Sequence, residues 1–210
     1  MAVVITLGVL VSGSGSNLQA ILDAVAAKTL DARVAVVVSN VAGAGALERA
    51  RKAGVEAVVI DHKAHADRRA FDAAVVEELR GRGVELVVLA GFMRIVTDVL
   101  LGAFPMRVVN VHPALLPAFP GVNAQKQALD YGVRTTGCTV HFVDAGTDTG
   151  PIIAQETVPV LDGDDEAALQ RRILAREHEL LPRVLQLVAE GRVSVEARPG
   201  GRPRVRIAAR

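Results

Sequence analysis

Asn110-Val111-His112-Pro113-Ala114-Leu115-Leu116-Pro117 sets an amide and an imidazole two residues apart at the end of an apolar run, 107–111. In an extended segment, side chains at i and i+2 point to one face. Asn110 and His112 therefore face one site together. The amide is a neutral hydrogen-bond donor, and the imidazole changes charge near neutral pH. That pair suits a reaction in which negative charge grows on an oxygen while a proton changes hands. Pro113, Pro117 and Pro120, followed by Gly121, turn the chain away directly afterwards.

Three other segments carry chemistry. Ser12-Gly13-Ser14-Gly15-Ser16-Asn17 lies between an apolar run and a helical pattern. Glycines let a backbone approach an anion, and the free N–H groups of a helix start point outward. The segment reads as a phosphate seat or a tight turn, with Ser16 or Asn17 as a helix cap. It has no lysine, so it is not a P-loop, and Leu18 stands where a dinucleotide fingerprint needs a third glycine. A small phosphorylated substrate fits better than ATP or a nicotinamide. Asp144-Ala145-Gly146-Thr147-Asp148-Thr149-Gly150-Pro151 is a polar loop whose carboxylate, set against His112, would favour the imidazolium and raise its pKa. Ala90-Gly91-Phe92-Met93-Arg94-Ile95-Val96 mixes apolar side chains with backbone donors and acceptors, which suits a flat heterocycle. Glu177 falls in an apolar stripe with Ile173, Leu181 and Leu185. A buried carboxylate needs a partner, here an arginine or a substrate amine or hydroxyl.

Other candidates carry less. Cys138 and His141 have a C-x-x-H spacing with no second pair, so no metal site is expected. His141 reads as a structural or supporting histidine, and His62 and His65 as solvated residues in a charged connection.

These segments need a scaffold. Continuous Val/Leu/Ile runs at 3–11, 34–39, 57–60, 86–90 and 107–111 alternate with helical patterns at 17–27, 47–53 and 67–80. Runs without polar alternation mark strands covered on both faces, and the β-α-β order implies a mostly parallel sheet. Residues 139–143 alternate, and 152–160 should pair with them antiparallel across the short loop. A long helix is expected over 165–189, kinked or broken at Pro182. The class is α/β, a Rossmann-like open sheet in one domain, 1–191, with 192–210 as a partly ordered basic tail carrying six arginines. A basic docking arm is the other reading of that tail.

The composition agrees. Half of the residues are apolar, and a net charge of +1 with three per cent aromatics argues against a nucleic-acid surface. No apolar run is long enough to span a membrane. The start lacks a secretory signal, and a single cysteine fits a reducing, cytoplasmic setting.

The motifs S-G-S-G-S-N-L-Q-A at 12–20, L-A-G-F-M-R-I at 89–95, N-V-H-P-A-L-L-P at 110–117 and D-T-G-P-I-I at 148–153 occur in that order. With them the chain closely resembles the folate-dependent phosphoribosylglycinamide formyltransferases, over about residues 4–191. The resemblance implies a seven-stranded mixed sheet with helices on both faces. It implies formyl transfer from 10-formyltetrahydrofolate, a cosubstrate, to the amine of 5-phosphoribosylglycinamide in purine (IMP) biosynthesis. By the same resemblance, Asn110, His112 and Asp148 are catalytic, and Gly15, Ser16 and Asn17 bind the substrate phosphate. Arg68, Met93, Arg94, Ile95, Val96 and Asn110 surround the folate, and Glu177 contacts the glycinamide substrate. No metal, membrane or nucleic acid is implied, and a homodimer is compatible with it. Ala114, Val96 and Val122-Asn123 replace commoner residues, none of them a catalytic group.

Two related enzymes share the catalytic half. Formyltetrahydrofolate deformylase normally carries an amino-terminal regulatory domain, for which a strand starting at residue 3 leaves no room. Methionyl-tRNA formyltransferase normally has a carboxy-terminal RNA-binding domain. A non-catalytic sugar-phosphate-binding module is the remaining alternative.

Overall fold

The structure, a computed structural model, describes residues 4–209. Val3, expected to open the first strand, lies outside the described residues. Seven strands form one sheet: β1 (Ile5–Val11), β2 (Ala32–Ser39), β3 (Ala57–Val59), β4 (Leu86–Leu89), β5 (Val108–His112), β6 (Thr135–Phe142) and β7 (Ile152–Pro159). Their order is β3-β2-β1-β4-β5-β6-β7. The first five run parallel, β6 runs antiparallel to β5, and β7 antiparallel to β6, so the sheet is mixed as expected.

The helices are α1 (Ser16–Ala26), α2 (Gly45–Lys52), α3 (Arg68–Gly81), α4 (Asp98–Ala103), α5 (Ala124–Tyr131) and α6 (Glu166–Ala189). Strand β1 shows why both faces must be covered. Ile5, Leu7, Val9 and Val11 enter one apolar cluster, with residues of α1, α2, α5 and α6. Leu10 enters the other, with α3 and α4. A strand buried on both sides has no polar face to alternate with.

Three expectations change. Helix α6 runs unbroken through Pro182, which lacks the N–H that would close one helical bond. Leu180, Leu181, Val184 and Leu185 around it are buried, and that packing holds the helix together. Strand β6 does not alternate, because all of it after Thr135 is buried. Its polar Thr139 is satisfied internally, donating to the Ala114 carbonyl at 2.7 Å and accepting from the Leu116 N–H at 3.0 Å.

The third concerns the tail. Residues 193–207 form an ordered hairpin, β8 (Val193–Arg198) and β9 (Gly201–Ile207). Val193, Val195 and Val205 pack against the main core. Pro199 and Gly200, the latter at φ +69°, make its turn.

Leu7 is fully buried in the central strand. Leu7→Ala should lower the unfolding free energy by about 2–5 kcal/mol, measured by chemical denaturation. A loss below about 1 kcal/mol would mean that the site collapses around the change.

Candidate functional site

In an open α/β sheet, ligands bind beyond the carboxyl ends of the strands where the strand order reverses. Here that point lies between β1 and β4. The loops after these strands are joined at Ser12. Its N–H donates to the Gly91 carbonyl at 3.1 Å, and its hydroxyl accepts from the Met93 N–H at 2.9 Å.

A cleft of about 470 Å³ opens beside this junction. Met93, Arg94, Ile95 and Val96 line one wall, Asn110 and His112 the floor, and Asp144, Thr147 and Asp148 the opposite wall. Met93 and Ile95 are largely exposed and Val96 is buried. Arg94 lies 5.0 Å over the Phe71 ring. The sequence-predicted wall, floor and carboxylate loop thus meet in one cleft. Arg68 does not join them: it is the first residue of α3, is exposed, and is not among the lining residues.

Strand β5 delivers the floor. Asn110 stands beside His141 of β6, and its amide Nδ2 lies 3.3 Å from His141 Nε2. His141 Nδ1 is 2.8 Å from the Phe142 carbonyl, an acceptor, and Nε2 faces the Asn110 amide on one side and the Asp148 carboxylate on the other. Sequence reading gave His141 only a supporting place. Its link to the site is the antiparallel register Asn110–His141, which depends on how two distant segments pair.

His112 is 3% exposed, so burial decides its chemistry. Nε2 lies 2.8 Å from the Phe119 carbonyl, and Nδ1 lies 3.4 Å from Asp148 Oδ2. Both ring nitrogens thus face acceptors, an arrangement that favours a second proton. Burial nevertheless lowers the His112 pKa below its ordinary value, against the raising effects of Asp148 and the Phe119 carbonyl. The raised value expected from the sequence is corrected on this point: the carboxylate offsets part of the desolvation and does not overcome it.

Asp148 is held as tightly. It accepts from the Gly121 N–H at 2.8 Å, and its Oδ1 is 3.7 Å from His141 Nε2. Its backbone sits at φ +54°, a strained conformation for a non-glycine residue. Burial pushes its pKa up, but the contacts from His141 and Gly121 and the charge of His112 bring it below the usual carboxylate range.

The glycine loop lies outside the lining of this cleft. Gly15 precedes α1 at φ +77°, and a Cβ there would stand 2.6 Å from Ala46 Cα. The loop therefore sits directly on the start of α2, leaving the first N–H groups of α1 without a side-chain cap. Neither Ser16 nor Asn17 caps the helix, contrary to expectation. Asn17 instead donates from Nδ2 to Glu177 Oε2 at 2.7 Å, while its own Oδ1 is buried with no hydrogen-bond partner among the described residues. The partner of Glu177 is thus an amide and not an arginine. Burial raises the Glu177 pKa against this hydrogen bond.

Two basic residues that sequence reading passed over flank the loop. Arg49 donates from Nε to the Ser14 carbonyl at 2.8 Å and makes no ion pair among the described residues. His178 has a buried Nε2 with no hydrogen-bond partner among the described residues, and burial, then the charge of Arg49, lowers its pKa. The available signal was the adjacency of His178 to Glu177.

Remaining candidates fall away from the site. Burial pushes the Cys138 thiol up to about 12. His62 and His65 are partly exposed and also lie edge-on to Phe71, at 6.5 and 5.8 Å between centroids. Among the described residues there is no group of three or more His, Cys, Asp or Glu that could hold a metal ion, and no helix long and apolar enough to cross a membrane.

Comparison with known proteins gives consistent findings. Residues 6–185 match the family described as formyl transferase. The chain is 41% identical over 187 residues to phosphoribosylglycinamide formyltransferase of Escherichia coli strain K12, covering 89% of this chain and 88% of that protein. It is 49% identical over 185 residues to the trifunctional purine biosynthetic protein adenosine-3 of Drosophila pseudoobscura pseudoobscura, covering 87% of this chain but only 14% of that protein. Its fold matches the crystal structure of glycinamide ribonucleotide transformylase 1 from Symbiobacterium toebii with a TM-score of 0.96 at 55% identity, over 100% of this chain and 96% of that one.

Because its folded pKa is lowered, His112 binds fewer protons in the folded protein than in the unfolded chain just below about pH 6.5. Unfolding free energy should therefore fall as the pH drops through that range. His112→Gln should flatten the fall in denaturation curves taken across pH. An unaltered slope would place the titration elsewhere.

Proposed function

The chain belongs to the formyl transferase family and, within it, to the phosphoribosylglycinamide formyltransferases, and from that premise we propose that it moves the formyl group of 10-formyltetrahydrofolate to the amine of 5-phosphoribosylglycinamide in purine biosynthesis. The observation that carries this reading is the floor of the cleft, where Asn110 and the buried His112 present donors side by side with Asp148 behind the imidazole.

The cleft suits the two substrates in different ways. The wall at Met93–Val96 joins exposed apolar side chains to main-chain groups and fits a flat pteridine. The uncapped start of α1 at Gly15, Ser16 and Asn17 fits the substrate phosphate, with Arg49 as a cationic flank and His178 as a ring held towards its neutral form. Glu177, close against Asn17, is placed for the ribosyl-glycinamide portion. Arg68 belongs to this reading only as an exposed residue at the start of α3, reached by an extended folate tail.

The chemistry then follows from the side chains. The glycinamide nitrogen attacks the formyl carbon, and negative charge grows on the formyl oxygen. Asn110 Nδ2 donates to it, held in orientation by His141. His112 donates from Nε2, which must leave the Phe119 carbonyl to do so. That carbonyl keeps the proton on Nε2 until the substrate oxygen replaces it. As the carbon–N10 bond breaks, the attacking nitrogen gives up a proton and N10 takes one. Asp148 stabilises the imidazolium that forms while protons pass. Phosphate capture at a rigid loop fixes the amine against the formyl carbon, converting binding into proximity. We place the enzyme in the cytoplasm.

Tetrahydrofolate release from 10-formyltetrahydrofolate tests the proposal. Release should require glycinamide ribonucleotide; release to water alone, or none at all, would overturn it. Asn110→Ala should lower kcat by about 10²–10³, as for the loss of one oxyanion donor. Asn17→Ala should chiefly raise KM for glycinamide ribonucleotide and leave KM for the folate unchanged. Equal effects on both would contradict the separation of the two seats.

A further inference from the structure

The terminal hairpin has no part in the cleft: none of its residues lines it. Its two faces differ sharply. Val193, Val195 and Val205 are half-buried against the core. On the opposite face Ser194 pairs with Arg206 and Glu196 with Arg204, while Arg198 and Arg202 stand at the irregular tip. All four arginines are exposed. Arg206 reaches Glu196 at 2.9 Å, whereas the side chains of Arg198, Arg202 and Arg204 make no hydrogen bond or ion pair among the described residues. The patch is not a by-product of a basic protein. Residues 192–210 hold six arginines and one glutamate, so the remaining 191 residues have a net charge of −4.

Among the described residues neither hairpin strand pairs with the large sheet, so the ribbon keeps open edges; Pro203 interrupts the donors of β9, and β8, which has no proline, offers the continuous edge. An open edge offers a row of backbone N–H and C=O groups to another strand. Same-face residues on a strand repeat every ~7 Å, and an extended peptide with acidic residues at alternate positions repeats at the same interval. We propose that this ribbon is a docking site for an acidic protein segment bound in extended form, with main-chain pairing at the edge and carboxylates against Arg198, Arg202, Arg204 and Arg206. A nucleic acid fits less well. The segment has no aromatic residue to stack on a base, and three free arginines release few counterions.

The probe is a fluorescein-labelled peptide alternating glutamate with valine. It is titrated by anisotropy against the full chain, beside a peptide of equal composition with its glutamates in one block and beside oligo-dT. The alternating peptide should bind best, and amide exchange in 193–207 should slow on binding. Reversing two charges with R202E/R204E should weaken it at least about tenfold, with formyl-transfer turnover and the circular dichroism spectrum unchanged. No binding by the alternating peptide overturns the proposal. So does equal binding by the blocked peptide or oligo-dT, which marks an undirected positive field. Binding without slowed exchange, or binding unaffected by R202E/R204E, overturns it as well.

Discussion

A carboxylate pinned between two buried imidazoles is the constraint on which the site depends. Asp148 holds the Gly121 N–H on one oxygen, stands 3.4 Å from His112 and 3.7 Å from His141, and does so at φ +54°. An unconstrained aspartate would leave that backbone region. These contacts tie the loop between β6 and β7 to the turn after β5, two segments that share no secondary structure. Without them the cleft would have a floor and one wall. The same contacts set the electrostatics: burial disfavours charge on His112, and Asp148 recovers part of what burial removes. A buried imidazole balanced this way can gain and lose a proton during a reaction that moves one.

The second seat follows from the sheet order. Reversal between β1 and β4 brings the glycine loop beside the wall at Met93–Val96, with Ser12 bonded to both Gly91 and Met93. The Asn17–Glu177 hydrogen bond then fastens the start of α1 to the middle of α6. On the function proposed above, an acceptor held at its phosphate and a donor held at its ring would meet over Asn110 and His112 because these elements are joined.

What the sequence reveals divides along physical lines. Strands β1, β4, β5 and most of β2 are legible because both faces are buried and the apolar runs are continuous, while β3, only partly buried, shows itself by its run of apolar residues alone. Asn110 and His112 are legible as a same-face pair from their i, i+2 spacing, whereas Asp148 is picked out of its polar loop only by the resemblance to the family. Helices α4 and α5 are too short to show a period. His141 enters the site through strand register, and Arg49 and His178 through helix packing, none of which a local pattern contains. The hairpin does have a pattern, Val-Ser-Val-Glu and Arg-Val-Arg-Ile around Pro199-Gly200, but the arginine content hides the alternation. The pKa of His112 went the other way because a sequence shows a carboxylate's charge but not the depth at which an imidazole is buried.

The balance at His112 is directly observable by NMR titration of its ring nitrogens, in the parent protein and in Asp148→Asn. The account predicts a pKa below the ordinary histidine value in the parent and lower still in the variant, where burial acts without the opposing charge. A parent value at or above the ordinary one, or an unchanged value in Asp148→Asn, would contradict it.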